Sequence, residues 1–443
     1  MFSNWSDRIR PNPPASCTGV AVADLLGSGA PQFVVCGDGG PNRVFAWVGG
    51  ELLDRTPRAL ADDGRTAVAC AAADTDGDGV EELLVLNAGH ADRLYHRTSA
   101  GHWQDLLADQ AGRHSTGGRS VAAVDRRGSG RYGFFAAGAG PTRFLERASD
   151  GQLADLAPAL GLDAVTAGRS SWVGPLASDR PDVFCGNEGG ANFLFRYTGC
   201  GTFLEIATAV RLADAGEHAS GVVGLDADDD GHFDLAVANW DGPNRLLVRQ
   251  PDGTFHDRAT PAMAYPGAVH TLVAADFDND GYEELFFHCR GEPNRLFRRS
   301  PDSRHPLDWV LADVGAAAEP GGYGTGAGAA DIDGDGRLEL LLAHGEQAAQ
   351  PLSLFKVETG DHHWLRVRPL TRFGAPARGA VVRLRAGGRT QIRVIDCRME
   401  PVAHFGLGAV DAVEEVRVTW PDGATRTVAK PRIRRQFDLP CPG

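Results

Sequence analysis

Short apolar runs and polar turns alternate regularly along the first 360 residues. A run of small or branched apolar residues such as 269–275 ends at an acidic segment, and a second apolar run such as 284–288 follows it. A turn rich in Gly, Asn and Pro leads to a third run such as 294–298, and a short aromatic-x-Asp segment such as 255–257 closes the unit. Apolar runs of this length between turn residues predict β-strands rather than helices. Each unit is therefore predicted to be a four-stranded sheet.

The unit recurs with a period of about 50 residues. The starts of the acidic segments are Asp24, Asp74, Asp125, a shortened copy at 174–182, Asp226, Asp276 and Asp331. Four-stranded units at this period predict a β-propeller, and seven copies predict seven blades. A kelch propeller has a similar period, but the carboxylates in the turns favour a calcium-binding propeller of another type.

The two ends of the chain differ from the repeated units. The seventh unit lacks its own aromatic-x-Asp strand, and Trp5-Ser6-Asp7 resembles one. Residues 2–8 are therefore predicted to pair with the last blade and to remove an open sheet edge. After His362 the pattern changes to alternating strands of a different spacing. We predict an all-β chain, with a seven-bladed propeller closed by the N-terminal strand in residues 1–360 and a small β-domain in residues 361–443.

Four of the acidic segments carry carboxylates at positions 1, 3, 5 and 9 and glycine at position 6. Ca²⁺ prefers several oxygen ligands at once, and the glycine allows the loop to turn sharply. The predicted metal ligands are Asp74, Asp76, Asp78 and Glu82; Asp226, Asp228, Asp230 and Asp234; Asp276, Asp278, Asp280 and Glu284; and Asp331, Asp333, Asp335 and Glu339. The other three loops lack these residues and are predicted to hold no metal. About four structural Ca²⁺ ions are expected, because a loop that surrounds its ion leaves few positions for a substrate.

Composition and charge restrict the classes of partner and the cellular location that we expect for this protein. The formal net charge of −14 disfavours nucleic acid and anionic membranes. No apolar run approaches membrane-spanning length, and the N-terminus lacks the apolar core of a signal peptide. The eight cysteines contain no CxxC pair, which favours free thiols in a reducing compartment. A cytoplasmic location is predicted.

The face opposite the acidic loops is predicted to hold a functional site, because many turns meet there on one axis. The candidates for acid–base chemistry are His218, His270, Tyr323, Arg119, Arg169, Glu188 and Asp241. The candidates for ligand binding are Trp240, His288, Arg290 and His344, and Glu346 lies in the same set of turns. Histidine with carboxylates can exchange protons near neutral pH, and arginine can hold an anionic oxygen. The sequence contains no motif for binding a nucleotide or a redox cofactor, so neither is expected.

The repeats resemble FG-GAP or VCBS repeats of the integrin α-subunit propeller type, on the acidic loops and on segments such as Pro243-Asn244-Arg245. The tail resembles an ASPIC/UnbV domain, on His363-Trp364-Leu365, on residues 404–408 and on residues 418–423. Together they place the chain near bacterial relatives of cartilage acidic protein. Bacterial members of that family often lie with natural-product pathways, and the resemblance implies such a role.

Two classes of function remain open. One is a cytosolic, cofactor-free enzyme of natural-product biosynthesis, such as a cyclase, isomerase or epoxide-opening enzyme, acting on a small-molecule intermediate. The other is a non-catalytic module stiffened by calcium that serves in binding, scaffolding or adhesion, or that sequesters a product. We expect the enzyme, because of the predicted location, the bacterial context and the crowding of His, Arg and carboxylate groups.

Overall fold

The computed structural model describes residues 1–108, 117–148, 151–302, 305–358 and 360–442. Seven small antiparallel sheets stand side by side, and the innermost strand of each contacts the innermost strand of the next. The seventh inner strand contacts the first, so the sheets close into a ring. The chain is a seven-bladed β-propeller with a C-terminal β-domain. Blades are numbered 1 to 7 in chain order, and their strands are lettered a to d from the axis outward.

The strands of blades 1 to 4 follow the predicted units. They are Cys17–Ala23, Gln32–Gly37, Arg43–Val48 and Glu51–Asp54; Thr66–Ala73, Glu82–Ala88, Arg93–Arg97 and Trp103–Asp105; Gly118–Val124, Gly133–Pro141, Arg143–Arg147 and Leu153–Asp155; and Val165–Gly174, Asp182–Asn187, Phe193–Tyr197 and Phe203–Glu205. Blade 1 gains a fifth strand, Ile9–Arg10, which runs parallel to its strand d. Blades 3 and 4 are joined where Ala139 pairs with Ala167.

Blades 5 to 7 have the same plan. Their strands are Ala219–Leu225, Asp234–Asn239, Arg245–Arg249 and Phe255–Asp257; Val269–Ala275, Glu284–Cys289, Arg295–Arg299 and Trp309–Ala312; and Gly324–Ala330, Glu339–His344 and Ser353–Lys356. Strand d of blade 7 comes from the N-terminus, where Ser3 pairs with Lys356 and Asn4 with Phe355. The predicted closure is therefore observed, although the strand is Ser3–Asn4 and the segment Ser6–Arg8 is a short 3-10 helix.

Helices are few and short in the described residues. They are Arg58–Ala61 and Ala157–Leu160, with 3-10 turns at Ser6–Arg8 and Ala316–Ala318. None of them approaches the length or hydrophobicity needed to cross a membrane.

Side-chain hydroxyl groups link neighbouring blades near the axis. Thr18 Oγ1 donates to the Ala67 carbonyl at 2.6 Å, and Ser220 Oγ donates to the Val269 carbonyl at 2.6 Å. Elsewhere the inner strands are rich in Ala, Gly and Val, which let seven strands approach one axis, and the apolar cores lie between adjacent blades. The hydrogen bonds satisfy polar groups that would be costly to bury alone.

The C-terminal domain has two sheets. Their strands are His363–Leu370, Ala403–Gly408 and Gln436–Pro440 in the first, and Val381–Ala386, Arg389–Val394, Val413–Thr419 and Thr425–Ala429 in the second. A separate apolar core with Leu365, Val382, Phe405 and Trp420 joins the two sheets. The strands 403–408, 425–429 and 436–440 were not predicted from the sequence.

This domain covers the face of the propeller that carries the acidic loops. The Gly406 N–H donates to Asp276 Oδ2 at 2.9 Å, and a Cβ on Gly406 would lie 2.3 Å from that oxygen, so glycine is required there. Arg366 Nη1 donates to Asp331 Oδ2 at 2.6 Å. The acidic loops therefore form part of the interface between the two domains.

The loop 396–400 of the C-terminal domain enters the propeller axis. The Arg398 carbonyl accepts from the Val22 N–H at 2.9 Å, and its guanidinium donates to the Val222 carbonyl at 3.1 Å. Val22 and Val222 belong to inner strands of blades 1 and 5, so the loop spans the axis. We call residues 396–400 the channel-closing loop.

Candidate functional site

The inner strands carry β-bulges near their starts, on the face opposite the acidic loops. The pairing register shifts at Arg119 in blade 3, at Arg169 in blade 4 and at His270 in blade 6. The same bulge position is Ser220 in blade 5 and Thr325 in blade 7. A bulge breaks the alternation of a strand and redirects a side chain. The bulges therefore place charged and polar side chains at the mouth of the ring.

Seven side chains interact there, and we call them the mouth network. They are Arg119, Arg169, Glu188, Trp240, His270, Arg290 and Glu346. Six of them are residues that the sequence singled out for chemistry or for ligand binding. Glu346, which the sequence placed in a turn with no assigned role, contributes a central carboxylate.

The first half of the mouth network is arranged around Arg169. Glu188 accepts from Arg119 Nη1 at 2.5 Å and from Arg169 Nη1 at 3.2 Å. Arg169 Nη2 lies 2.6 Å from His270 Nε2. A guanidinium can only donate, so Nε2 of His270 meets Arg169 as an acceptor in the neutral ring and meets Glu346 as a donor in the protonated ring. Burial also lowers the pKa of His270.

The second half is arranged around Glu346. Its carboxylate accepts from Arg290 Nη1 at 2.6 Å and lies 3.3 Å from His270 Nε2. The His270 ring and the charges of Arg169 and Arg290 lower the pKa of Glu346 to about 2. The Arg290 guanidinium lies 4.3 Å from the ring centre of Trp240. The charges at the mouth are thus paired with one another.

A cavity of about 320 Å³ lies below the mouth network along the axis. Val20, Val68 and Leu272 supply apolar walls, and Arg398 and Met399 of the channel-closing loop line its end. The cavity is large enough for a small ligand. It combines a charged entrance with an apolar interior.

Three residues predicted for chemistry lie beside the mouth network instead of in it. His218 and Tyr323 each precede the bulge position by two residues, so Ser220 and Thr325 occupy the positions expected for them. His218 is exposed, and its Nδ1 contacts the Glu188 carbonyl. Asp241 is exposed and has a positive φ of 55°. The shift in register at each bulge explains the difference for His218 and Tyr323, whereas Asp241 lies in the turn after strand b of blade 5.

His288 and His344, predicted to bind a ligand, are buried between blades 6 and 7 and are not available at the mouth. They are 0% and 2% exposed. His288 Nδ1 lies 3.1 Å from Asn294 Oδ1, and His344 Nε2 lies 3.1 Å from Glu319 Oε2. Their observed contacts are structural, which corrects the expectation from the sequence.

On the opposite face, the four acidic loops share one backbone frame. The first carboxylate of each accepts from the N–H of the glycine at position 6, as Asp74 does from Gly79 at 3.0 Å. The ninth-position carboxylate accepts from the N–H of position 2, as Glu284 does from Phe277 at 2.9 Å. The position 6 glycines have φ of 90°, 83°, 99° and 85° in chain order, which favours glycine.

The geometry at blades 2, 5 and 6 fits a hard cation. Carboxylate oxygens lie within 4.8 Å of one another in three sets: Asp74, Asp76 and Glu82; Asp226, Asp228 and Asp230; and Asp276, Asp278 and Glu284. Asp276 Oδ1 is buried and has no hydrogen-bond partner among the described residues. Burial raises the pKa of Asp74 and Asp226 to about 7 and that of Asp234 to about 8. A bound cation would offset this unfavourable burial of negative charge.

The loops predicted to hold no metal satisfy their aspartates with protein donors. In blade 1, Asp24 accepts from the Ser28 N–H at 2.8 Å and from Gln32 Nε2 at 3.2 Å. In blade 4, Asp182 accepts from the Ala177 and Ser178 N–H groups at 2.8 and 2.9 Å.

Blade 7 differs from the other three acidic loops. Its carboxylates Asp331, Asp333 and Glu339 also lie within 4.8 Å of one another. The Lys356 ammonium group, however, is 2.6 Å from Asp333 Oδ2 and also contacts Glu339. A protein cation thus occupies this loop.

Comparisons with known proteins agree with both parts of this architecture. Residues 24–85 and 226–287 match the model of the FG-GAP-like repeat, and residues 371–440 match the model named ASPIC and UnbV. Cartilage acidic protein 1 of Xenopus tropicalis is 40% identical over 502 residues, covering 100% of this chain and 77% of the relative. The mouse and human proteins of that name are also 40% identical, covering 77% and 75% of the relatives. Among solved structures, YCF48 bound to D1 peptide matches with a TM-score of 0.49 and 12% identity over 82% of this chain and 96% of that one, a similarity that supports no functional comparison.

The protein is an FG-GAP-repeat propeller joined to an ASPIC/UnbV domain. With 40% identity along its whole length, the chain belongs to the family of cartilage acidic protein 1. This finding corrects the expectation of a bacterial natural-product enzyme, since these relatives, matched along the whole of this chain, are vertebrate cartilage acidic proteins.

Proposed function

We propose that this protein is a non-catalytic binding module, stiffened by Ca²⁺, whose mouth network and axial cavity hold a small anionic ligand. The observation that carries the proposal is the set of bulges that brings Arg119, Arg169 and His270 to the entrance of one cavity. The similarity to cartilage acidic protein 1 along the whole of this chain supports a module of this kind better than a biosynthetic enzyme.

The state of the mouth network also favours binding over acid–base catalysis. A general base works best with a pKa near the working pH. Glu346 has a pKa of about 2, and the Nε2 of His270 is already in contact with Arg169 and Glu346. The network is instead a pre-arranged set of guanidinium groups, which suit a carboxylate or a phosphate.

Calcium would serve as a structural ion in this module. Asp74, Asp76, Asp78 and Glu82 would hold it in blade 2, and the equivalent carboxylates would hold it in blades 5 and 6. Bound there, the ion would neutralise buried carboxylates and fix the turn between strands a and b. No nucleotide or redox cofactor is part of the proposal, and the cytoplasmic location stays a prediction.

A matched pair of amphiphiles tests the proposed ligand class. Octanoate offers a carboxylate for the arginines and a chain for the apolar cavity, whereas octylamine has the same chain with the opposite charge. Octanoate is expected to raise the melting temperature and octylamine is not. The effect should disappear in Arg169→Gln and persist in Arg127→Gln, whose side chain is exposed beside the acidic loops. Equal shifts with both amphiphiles, or no shift with either, would contradict the proposal.

A further inference from the structure

Lys356 is the last residue of strand c in blade 7, and its neighbours there are acidic. It pairs with Glu339 of strand b on one side and with Ser3 of the N-terminal strand on the other. Its side chain is 2% exposed. A buried lysine needs partners that neutralise its charge.

The acidic loop of blade 7 supplies those partners. The Lys356 ammonium group lies 2.6 Å from Asp333 Oδ2 and 3.0 Å from Asp335 Oδ2, and it also contacts Glu339 Oε1. These are the third, fifth and ninth positions of the loop. The remaining ligand position, Asp331, accepts from Arg366 of the C-terminal domain at 2.6 Å. Every carboxylate of the predicted calcium ligand set is thus paired with a protein cation.

The equivalent position in the other acidic blades differs. By the same strand register, the residue opposite the ninth-position carboxylate is His96 in blade 2, Val248 in blade 5 and Arg298 in blade 6. His96 Nδ1 lies 2.9 Å from Glu82 Oε1, and imidazole can be neutral or can itself bind a metal. In blade 2, Arg147 contacts only Asp76 of the four predicted ligands. In blade 6, Arg298 Nε is buried and has no hydrogen-bond partner among the residues described.

We infer that the Lys356 ammonium group replaces the metal ion in blade 7, so that this loop binds no Ca²⁺ while its sequence still matches a calcium-binding loop. The inference rests on the proposed function only in one respect, which is that it contrasts blade 7 with the proposed calcium sites in blades 2, 5 and 6. The ammonium group donates to Asp333 Oδ2 and lies beside the carboxylates of Asp335 and Glu339, where a metal ion would sit, and it repels a divalent cation from the same space.

This replacement has a consequence for the closure of the ring. Blade 7 contains the N-terminal strand, and Lys356 is the residue that connects the acidic loop to that strand. The closing blade therefore keeps its internal cation when calcium is removed. Chelation would loosen blades 2, 5 and 6 and leave the pairing of Ser3 with Lys356 in place.

The number and position of bound ions test the inference. The full-length protein is dialysed against Ca²⁺, and bound calcium is counted by elemental analysis in the wild type and in Lys356→Gln. The variant removes the ammonium group and leaves an oxygen donor, so it is expected to bind one ion more than the wild type. Lys430→Gln changes the only other lysine, and it should leave the count unchanged. An equal count in the wild type and in Lys356→Gln would overturn the inference.

A second measurement does not depend on the folding of the variant. Crystals of the wild type soaked in Tb³⁺ locate the sites by anomalous scattering, and no peak is expected among Asp331, Asp333 and Glu339. A Tb³⁺ peak there would overturn the inference. Empty loops in blades 2, 5 and 6 would instead contradict the calcium part of the proposed function, so the two failures are distinguishable.

Discussion

The Arg378 guanidinium of the C-terminal domain binds the Glu81 carboxylate of the acidic loop in blade 2. Nε lies 2.8 Å from Oε1 and Nη2 lies 3.2 Å from Oε2. The two side chains are 1% and 3% exposed. Arg378 Nη1 also donates to the Asp396 and Met399 carbonyls at 2.6 and 3.0 Å. One side chain therefore fixes both the domain interface and the channel-closing loop.

Replacing Arg378 by Gln is expected to destabilise the protein strongly. The change leaves the Glu81 carboxylate buried without its partner, and breaking a buried pair in this way costs about 3–5 kcal/mol. The free energy of unfolding in urea measures the effect. Arg385→Gln is the control, because Arg385 pairs with Glu414 at the surface, where about 0–1 kcal/mol is expected. A loss below about 1 kcal/mol in Arg378→Gln would show that the pair does not hold the domains together.

Calcium removal is expected to lower the melting temperature, because the apo-protein buries carboxylates without a cation. A site filled at 100 times its Kd stabilises the folded state by about 2.7 kcal/mol. Asp228→Ala removes one predicted ligand in blade 5, so it should bind one calcium ion fewer and lose part of the stabilisation. Asp24→Asn, in a loop already satisfied by protein donors, should keep the wild-type ion count. Identical melting curves in EGTA and in excess calcium would contradict the proposal.

Much of the fold could be predicted because the repeat is local in sequence. Strand lengths, turns and the acidic frame all lie within about 50 residues, and the N-terminal strand repeats a pattern seen elsewhere in the chain. The bulges could not be predicted in this way. They depend on how two strands pair. The sequence pattern therefore pointed to His218 and Tyr323, which lie two residues before the bulge residues Ser220 and Thr325.

Contacts between residues far apart in the sequence also could not be predicted from the local repeat. Arg378 and Glu81 are 297 residues apart, and nothing local marks them as partners. Lys356 could have been found, because it is one of two lysines in the chain and hairpin pairing places it opposite Glu339. The acidic motif alone does not distinguish blade 7 from the other acidic blades, because it specifies the metal ligands and not the residue on the neighbouring strand that faces them.

Acidification is expected to destabilise the interface of blades 6 and 7 through His288. Burial and the neighbouring His344 lower the pKa of His288 to about 4. A lowered pKa means that the folded state holds the neutral ring, while the unfolded state takes up a proton near pH 6.5. The stability that depends on the neutral His288 ring is therefore complete above pH 6.5. It is lost as the pH falls toward 4, and the loss has a limit of about 3 kcal/mol.

Unfolding in urea at pH 7 and at pH 4.5 measures this effect. His288→Gln cannot take up the proton, so it should lose less stability than the wild type between the two pH values. His90→Gln, at an exposed position in a blade 2 turn, should behave like the wild type. The same pH dependence in His288→Gln and in the wild type would exclude His288 as the source.

Glu346→Gln is expected to strengthen the binding of octanoate. Glu346 accepts from Arg290 and lies 3.8 Å from Arg169 Nη2, so it competes with an incoming carboxylate for the same guanidinium groups. Glutamine removes the negative charge and leaves a side chain of similar size. A charge-assisted hydrogen bond contributes about 1.5–3 kcal/mol, so a gain of about 1 kcal/mol, roughly fivefold in Kd, is expected.

Titration calorimetry measures the affinity for octanoate. Glu292→Gln, an exposed position in the same blade 6 turn as Arg290, is the matched control. If the affinity of Glu346→Gln is unchanged or weaker, the ligand does not reach Arg169 and Arg290, and the mouth network has a structural role in joining the blades.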